Sequence, residues 1–228
     1  MEKRHKKTLP LTLNFGSACA KIGFIAILFI PLILTVRYAV PRVVEHDPFQ
    51  VAKRIEKKWP NELTRIYSIV KLNRPGIADK EAWNVSTAIF DECAMRNLDP
   101  MLVLAVIKVE SGFRNHALSP MGARGIMQIM PETGKFLSAE LLRVGGFEAR
   151  TFTPDHLDDP VLNIKLGVYY LDGLKRQFRN LQLALLAYNF GPGEIQNRLD
   201  NNIHFSKEYA AAVLNAYREF KKARAPLF

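Results

Sequence analysis

The chain has 228 residues, of which 48% are hydrophobic and 24% are charged, a globular composition that excludes a wholly disordered chain. Its two cysteines cannot form a disulfide framework, and its five histidines include no close pair, so we expect no metal site and no cofactor. The net charge is +10, but residues 1–40 hold six basic residues and one acidic residue, so half of the excess lies there and we expect no nucleic-acid partner.

The first predicted element is a membrane anchor. A basic tail, residues 1–17, precedes fifteen uncharged residues that lie between Lys21 and Arg37. A membrane helix needs about 20 residues, and the long stems of these two basic side chains extend the usable span to roughly residues 18–38. The anchor is therefore predicted over residues 18–40. No small-residue cleavage signal follows the apolar run, which favours a retained single-pass anchor over a cleaved signal peptide. By the positive-inside rule, the tail stays in the cytoplasm and the rest of the chain lies outside it.

Two segments are predicted beyond the anchor. Residues 41–79 are expected to form a helical stalk or accessory segment, which the turn signal Arg74-Pro75-Gly76 closes. Residues 80–228 are expected to form one mainly α-helical domain, because apolar residues recur at helical spacing and no alternating strand pattern stands out. The predicted helices cover about 81–95, 101–109, 131 onward, 161–178, 181–188 and 209–220.

The helix predicted over 101–109 directs attention to the residue that follows it. This helix is apolar on all sides except for Lys108, which places it inside a core, and Asp99 with Pro100 supplies its N-cap and first residue. It runs into Glu110, whose carboxyl group is expected to lose hydration there. Burial raises the pKa of a carboxyl group towards about 6, a value that suits a general acid able to protonate a leaving oxygen. The pattern alone also allows a Glu110 that pairs with Lys108 or caps the helix.

Four blocks of residues then occur in a characteristic order and spacing. They are Glu110 to Phe113 (ESGF), Ala117 to Thr133 (ALSPMGARGIMQIMPET), Asp159-Pro160 with Asn163, Ile164 and Gly167, and Ala187 to Gly193 (AYNFGPG). Through these blocks, roughly residues 85–220 resemble the soluble-lytic-transglycosylase-like family, whose catalytic domain is related to goose-type lysozyme. The resemblance implies a lysozyme-like helical domain acting on peptidoglycan glycan strands. Together with the anchor, it predicts a bacterial inner-membrane protein whose catalytic domain lies in the periplasm or otherwise outside the cytoplasm.

The resemblance also implies a reaction and a set of site residues. Glu110 is the single catalytic residue, first acid and then base, in cleavage of the MurNAc-β-1,4-GlcNAc bond with formation of a 1,6-anhydromuramyl end. The implied substrate-binding residues are Ser111, Ser119, Gln128, Met130, Tyr188 and Asn189. Simpler structural readings remain open for three of them: a turn for Ser119, core filling for Met130 and packing for Tyr188. Asn163 is expected to organise loops.

One position departs from the family pattern. Many relatives carry a second glutamate four residues before the tyrosine that opens the last helix, whereas here that position is Phe205 and Glu208 is offset. A partner carboxylate folded in from elsewhere, such as Asp155 or Asp159, stays open. Two other functions also stay open: a lysozyme-type muramidase on the same fold, and a non-catalytic peptidoglycan-binding module. The sequence leaves open whether the enzyme serves wall turnover or makes local gaps for a secretion or conjugation apparatus, so partnership with cell-envelope machinery also stays open.

Overall fold

The structure, a computed structural model, describes residues 62–143 and 151–222. These residues are helical, with isolated bridges in place of strands, which confirms the prediction of a mainly α domain. The α-helices of the described part are α1 (62–73), α2 (Asp79–Arg96), α3 (Pro100–Ser111), α4 (Pro131–Arg143), α5 (Pro160–Phe178), α6 (Leu181–Phe190), α7 (Pro192–Asp200) and α8 (Glu208–Lys222). A short 3-10 helix, Pro154–Asp158, lies between α4 and α5.

Helix α3 is the centre of the core. As predicted, the Asp99 carboxylate caps it by accepting a hydrogen bond from the Met101 N–H at 2.9 Å, and Pro100 is its first residue. Residues 101–107 are each at most 3% exposed, as expected for a helix that is apolar on all sides. Helices α2 and α8 pack against α3, while α5 packs against α2, α4 and α6.

The last helix is held to the start of α3 by polar contacts. The Asp99 carboxylate accepts hydrogen bonds from the Tyr217 hydroxyl at 2.8 Å and from the Lys221 ammonium at 2.9 Å. These bonds connect the N-cap of α3 to the C-terminal half of α8. They therefore help to set the position of α8 along the central helix.

Helix α1 packs into the same core as the helices that follow it. Leu63, Ile66 and Val70 are buried in that core, and the Arg65 guanidinium donates to the main-chain oxygen of Phe220 at 2.6 Å. The predicted boundary near residue 80 therefore does not separate the described part of the accessory segment from the main body. The other domain limits stay predictions, because residues 1–61 lie outside the described part of the chain.

Two further differences from the predicted elements concern helices. The helix predicted over 181–188 extends to Phe190, and the unpredicted helix α7 follows it directly. Gly191, with φ of 88°, breaks the first helix, and Pro192 then begins the second because its fixed φ suits a first helical position.

The anchor predicted over 18–40 lies outside the described residues. None of the described helices is long and apolar enough to cross a membrane.

Candidate active site

Glu110 lies at the C-terminal end of α3, where the central helix leaves the core. Helix α3 ends at Ser111, and its C-cap Gly112 adopts the left-handed conformation and donates its N–H to the Lys108 carbonyl. Lys108 itself pairs with Glu219 at 2.9 Å, so its ammonium is engaged on α8. Burial raises the pKa of Glu110 to about 7, against an opposing hydrogen bond from Tyr209. The C-terminal end of a helix also disfavours a negative charge, which acts in the same direction as burial.

Tyr209, in the first turn of α8, is the hydrogen-bond partner of Glu110. Its hydroxyl donates to Oε1 of the Glu110 carboxylate. Burial, the Glu110 charge and this hydrogen bond raise the pKa of Tyr209 well above its ordinary value, so the hydroxyl keeps its proton. Tyr209 was not among the predicted site residues, because its helical spacing with Val213 and Phe220 is typical of a core-facing stripe. The available signal was the hydroxyl itself, which needs a partner when a tyrosine is buried.

Tyr188, one of the predicted substrate-binding residues, is buried near the end of α6. Its hydroxyl donates to the Met127 carbonyl at 2.9 Å, and its ring centre lies 5.3 Å from that of Tyr170. Burial, then the charges of Glu110 and Tyr170, raise the pKa of Tyr188 well above its ordinary value. Tyr188 is therefore within electrostatic range of Glu110, while its hydroxyl holds the segment that contains Met127.

The segment after α3 forms two successive narrow turns. Leu118 bridges to Arg124, and Arg124 bridges in turn to Ile129, both antiparallel. Buried Asn163 of α5 secures this segment: its side-chain oxygen accepts from the Met127 N–H at 2.7 Å, and its amide donates to the Arg124 carbonyl at 2.9 Å. These bonds confirm the expectation that Asn163 organises loops.

Ser119 and Gln128 both lie within these two turns. The Ser119 hydroxyl oxygen accepts from the Ala123 N–H at 2.9 Å, and the residue is partly exposed. The Gln128 side-chain amide donates to the carbonyls of Ala117 and Gly125 at 2.9 and 3.0 Å. Ser119 is therefore a partly exposed residue of the turn, whereas the NH₂ group of Gln128 is engaged within the segment.

The other three predicted substrate-binding residues occupy different environments. Ser111 is 2% exposed, and its hydroxyl donates to the Ile126 carbonyl at 2.7 Å. A side chain this buried offers no surface to a ligand, so we replace its predicted substrate contact by a positioning role between α3 and the following segment. Met130, just before α4, and Asn189, near the end of α6, are both exposed.

The acidic residues considered as partners for Glu110 are engaged elsewhere. The Arg124 guanidinium pairs with Asp155 at 2.8 Å and with Asp158 at 2.5 Å, and the Asp159 carboxylate caps α5 by accepting from the Val161 N–H at 2.9 Å. Among the residues that the structure describes, no group of three or more His, Cys, Asp or Glu side chains could hold a metal ion. Among the described residues, the site at Glu110 therefore consists of a single carboxyl group and one phenol donor, Tyr209.

Comparisons with known proteins agree with this architecture. The model of the transglycosylase SLT domain family matches residues 87–211, which is more than half of the chain. The soluble lytic murein transglycosylase of Escherichia coli is 35% identical over 100 residues, which make up 43% of this chain and 15% of that protein. The membrane-bound lytic murein transglycosylase C of Shigella sonnei is 28% identical over 163 residues, which make up 68% of this chain and 43% of that protein.

A solved structure shares the fold. It is that of an inactive mutant of the lytic transglycosylase Slt from Pseudomonas aeruginosa, with a TM-score of 0.53 and 29% identity, over 62% of this chain and 24% of that one. The present chain covers less than half the length of each of these three proteins. The similarity is therefore that of one domain.

Proposed function

We infer that this chain, which belongs to the transglycosylase SLT domain family, is a peptidoglycan lytic transglycosylase with Glu110 as its single acid–base residue. The observation that carries this proposal is a partly buried carboxyl group with a pKa near 7, held by a tyrosine hydroxyl at the end of a buried helix. Such a group can release a proton in one step and recover one in the next at neutral pH. A role in binding alone would not need a carboxyl group tuned in this way.

The proposed reaction has two proton transfers, and the Glu110 carboxyl group takes part in both. Protonated Glu110 donates its proton to the glycosidic oxygen between MurNAc and GlcNAc, and the bond to the anomeric carbon breaks. The resulting carboxylate then accepts the proton of the muramyl 6-hydroxyl, whose oxygen attacks the anomeric carbon and closes the 1,6-anhydro ring. The glutamate ends the cycle protonated, so no water is consumed.

The neighbours of Glu110 fit defined roles in this scheme. Tyr209 donates to the carboxylate that forms after the first transfer and fixes its orientation. Tyr188 and buried Ser111 hold the segment after α3 through the carbonyls of Met127 and Ile126. Partly exposed Ser119 is the residue that would hydrogen-bond to the sugar. Met130, Asn189 and the side-chain oxygen of Gln128 would make further substrate contacts.

The alternative function is hydrolysis by a lysozyme-type muramidase. A hydrolase of the inverting type uses a second carboxylate to activate water. The engagement of Asp155 and Asp158 with Arg124, and of Asp159 with α5, supports the transglycosylase over that alternative. A non-catalytic binding module is disfavoured by the raised pKa of Glu110.

The proposed location is the outer face of the bacterial inner membrane. The support comes from the basic tail, the uncharged run between Lys21 and Arg37, and the substrate, which lies outside the cytoplasm. A reporter that works only in the cytoplasm can be fused after Phe228. Activity of that fusion would contradict this topology.

The product of digestion tests the activity. Purified sacculi digested by the full-length protein should release muropeptides with anhydro ends, which are lighter than reducing ends by one water. Glu110→Gln protein provides the matched control for contaminating activity. Release of reducing ends would establish the muramidase instead, and release of neither product would leave only the binding module.

A further inference from the structure

Helices α1 and α2 meet in a cluster of aromatic and charged side chains that the proposed reaction does not use. The hydroxyl of Tyr67 and the ammonium of Lys71, both on α1, donate to the same Asp79 carboxylate oxygen at 2.9 and 2.8 Å. The ring of Trp83, one turn further along α2, lies 5.9 Å from the ring of Tyr67 with the planes tilted by 60°. We name these four residues, Tyr67, Lys71, Asp79 and Trp83, the Trp83 platform.

The platform is both ordered and open. Lys71 also donates to the Ile77 carbonyl at 3.0 Å, so its stem and charge are fixed across the turn between the helices. Trp83 is nevertheless 47% exposed, and the Asp79 side chain is 81% exposed. An indole this exposed contributes little to the core, and the Asp79 carboxylate retains lone pairs for further donors.

This combination suits a sugar ring. The C–H face of a pyranose is weakly positive and stacks on the electron-rich face of an aromatic ring. A neighbouring carboxylate accepts hydrogen bonds from sugar hydroxyls, and a fixed ammonium attracts the carboxylates of an acidic substituent. Peptidoglycan strands, the substrate class of the proposed function, offer both the N-acetylhexosamine rings and acidic stem peptides.

We propose that the Trp83 platform is a second glycan-binding site, which holds a peptidoglycan strand apart from the residues that cut it. All four residues precede residue 87, where the match to the family model begins. The proposal rests on the proposed function for the identity of the sugar. A site of this kind retains the enzyme on the insoluble wall between successive cleavages.

A membrane surface is the competing occupant, because tryptophan, tyrosine and lysine also occur at membrane interfaces. The position of Asp79 disfavours it. The largely exposed Asp79 carboxylate, which is hydrogen-bonded to Tyr67, would have to leave water on entering the interface. A glycan strand instead supplies hydroxyl donors to that carboxylate.

Co-sedimentation of the full-length Glu110→Gln protein with purified sacculi tests the proposal, since this background leaves the strands uncut. Adding Trp83→Ala should raise the protein concentration needed for half-saturation about tenfold, whereas adding Trp83→Phe should change it less than about threefold because an aromatic face remains. Met95→Ala is the matched control, since Met95 is an exposed apolar side chain on the same helix outside the platform. Sedimentation unchanged by Trp83→Ala, or reduced equally by Met95→Ala, would overturn the proposal.

A second measurement uses fluorescence from the platform itself. The chain has two tryptophans, Trp59 and Trp83, so Trp59→Phe leaves Trp83 as the single indole. Its emission should respond saturably to the tetrasaccharide of N-acetylglucosamine. A response to vesicles of phosphatidylglycerol and phosphatidylethanolamine but not to the sugar would replace the proposal with membrane docking, and no response to either would refute it.

Cleavage measurements separate this proposal from the proposed function. In an otherwise natural chain, Trp83→Ala should reduce cleavage of sacculi more than cleavage of a short soluble muroglycan, because a short glycan gains less from a second binding site. If the natural chain cut no glycan while Trp83 still responded to the tetrasaccharide, the proposed function would fail and the second binding site would stand. If sacculi were cut but Trp83 neither responded to the sugar nor affected binding, the second binding site would fail and the proposed function would stand.

Discussion

Replacing Tyr209 by phenylalanine should raise the pKa of Glu110 above its value of about 7. The Tyr209 hydroxyl donates to the Glu110 carboxylate and so stabilises its ionised form, whereas the phenylalanine ring preserves the packing of α8 on α3. A hydrogen bond to an ionised group is typically worth about 1.5–3 kcal/mol. The protonated carboxyl recovers part of that, so we expect a shift of about one pKa unit, or about 1.4 kcal/mol.

The pH dependence of anhydromuropeptide release measures this shift. The first step needs protonated Glu110, so kcat/KM should fall as the pH rises through the pKa of that group in the free enzyme. The midpoint of this fall should lie near pH 7 for the natural chain and about one unit higher for Tyr209→Phe. The maximal rate of the variant should fall about tenfold, because the carboxylate formed in the first step loses its donor.

Tyr217→Phe is the matched control for this experiment. Tyr217 lies on the same helix, and its hydroxyl also donates to a carboxylate, that of Asp99 at 2.8 Å. Its loss should lower the free energy of unfolding by about 1 kcal/mol without moving the pH midpoint. A midpoint for Tyr209→Phe at or below that of the natural chain, or an equal shift in both variants, would refute the assignment of Tyr209.

Three further predictions concern acidic groups and one buried hydroxyl. Glu110→Gln should reduce anhydromuropeptide release by about 10³–10⁴-fold. Ionisation of Glu110 opposes folding as the pH rises from the ordinary pKa of 4.5 to about 7. Urea unfolding at about pH 8 should therefore show the glutamine variant to be about 1–3 kcal/mol more stable, and equal stability would argue against a raised pKa. Ser111→Ala should lower the free energy of unfolding by about 1–2 kcal/mol, since the buried Ile126 carbonyl loses its donor; unchanged stability with weaker sacculus binding would instead favour a substrate contact. Burial raises the pKa of Asp99, but hydrogen bonds, foremost that from Lys221, outweigh burial and hold the pKa below 3.8. The stability that the Asp99 charge contributes is therefore lost as the pH falls below 3.8. Asp99→Asn should therefore lose less stability than the natural chain over that acid range in circular-dichroism unfolding, and an equal loss would contradict this role.

Local signals in the sequence determined the central helix and its catalytic candidate. Asp99-Pro100 sets the start of α3 because the carboxylate and the proline ring act within one turn of the chain. An unbroken apolar run then requires burial, and Glu110 at its end must share that burial and the resulting raised pKa. Each of these consequences depends on residues that are adjacent or nearly adjacent in sequence.

The tertiary structure decided which side chains meet at Glu110 and which are engaged elsewhere. Tyr209 reaches Glu110 across 99 residues of sequence, and helical spacing alone cannot distinguish a core-facing tyrosine from a hydrogen-bond donor to the site. Ser111 follows Glu110 directly, yet its burial against Ile126 emerges only when the two turns after α3 fold back. The direction of a side chain on a helix is set by the neighbours that pack against it, and those neighbours come from distant parts of the chain.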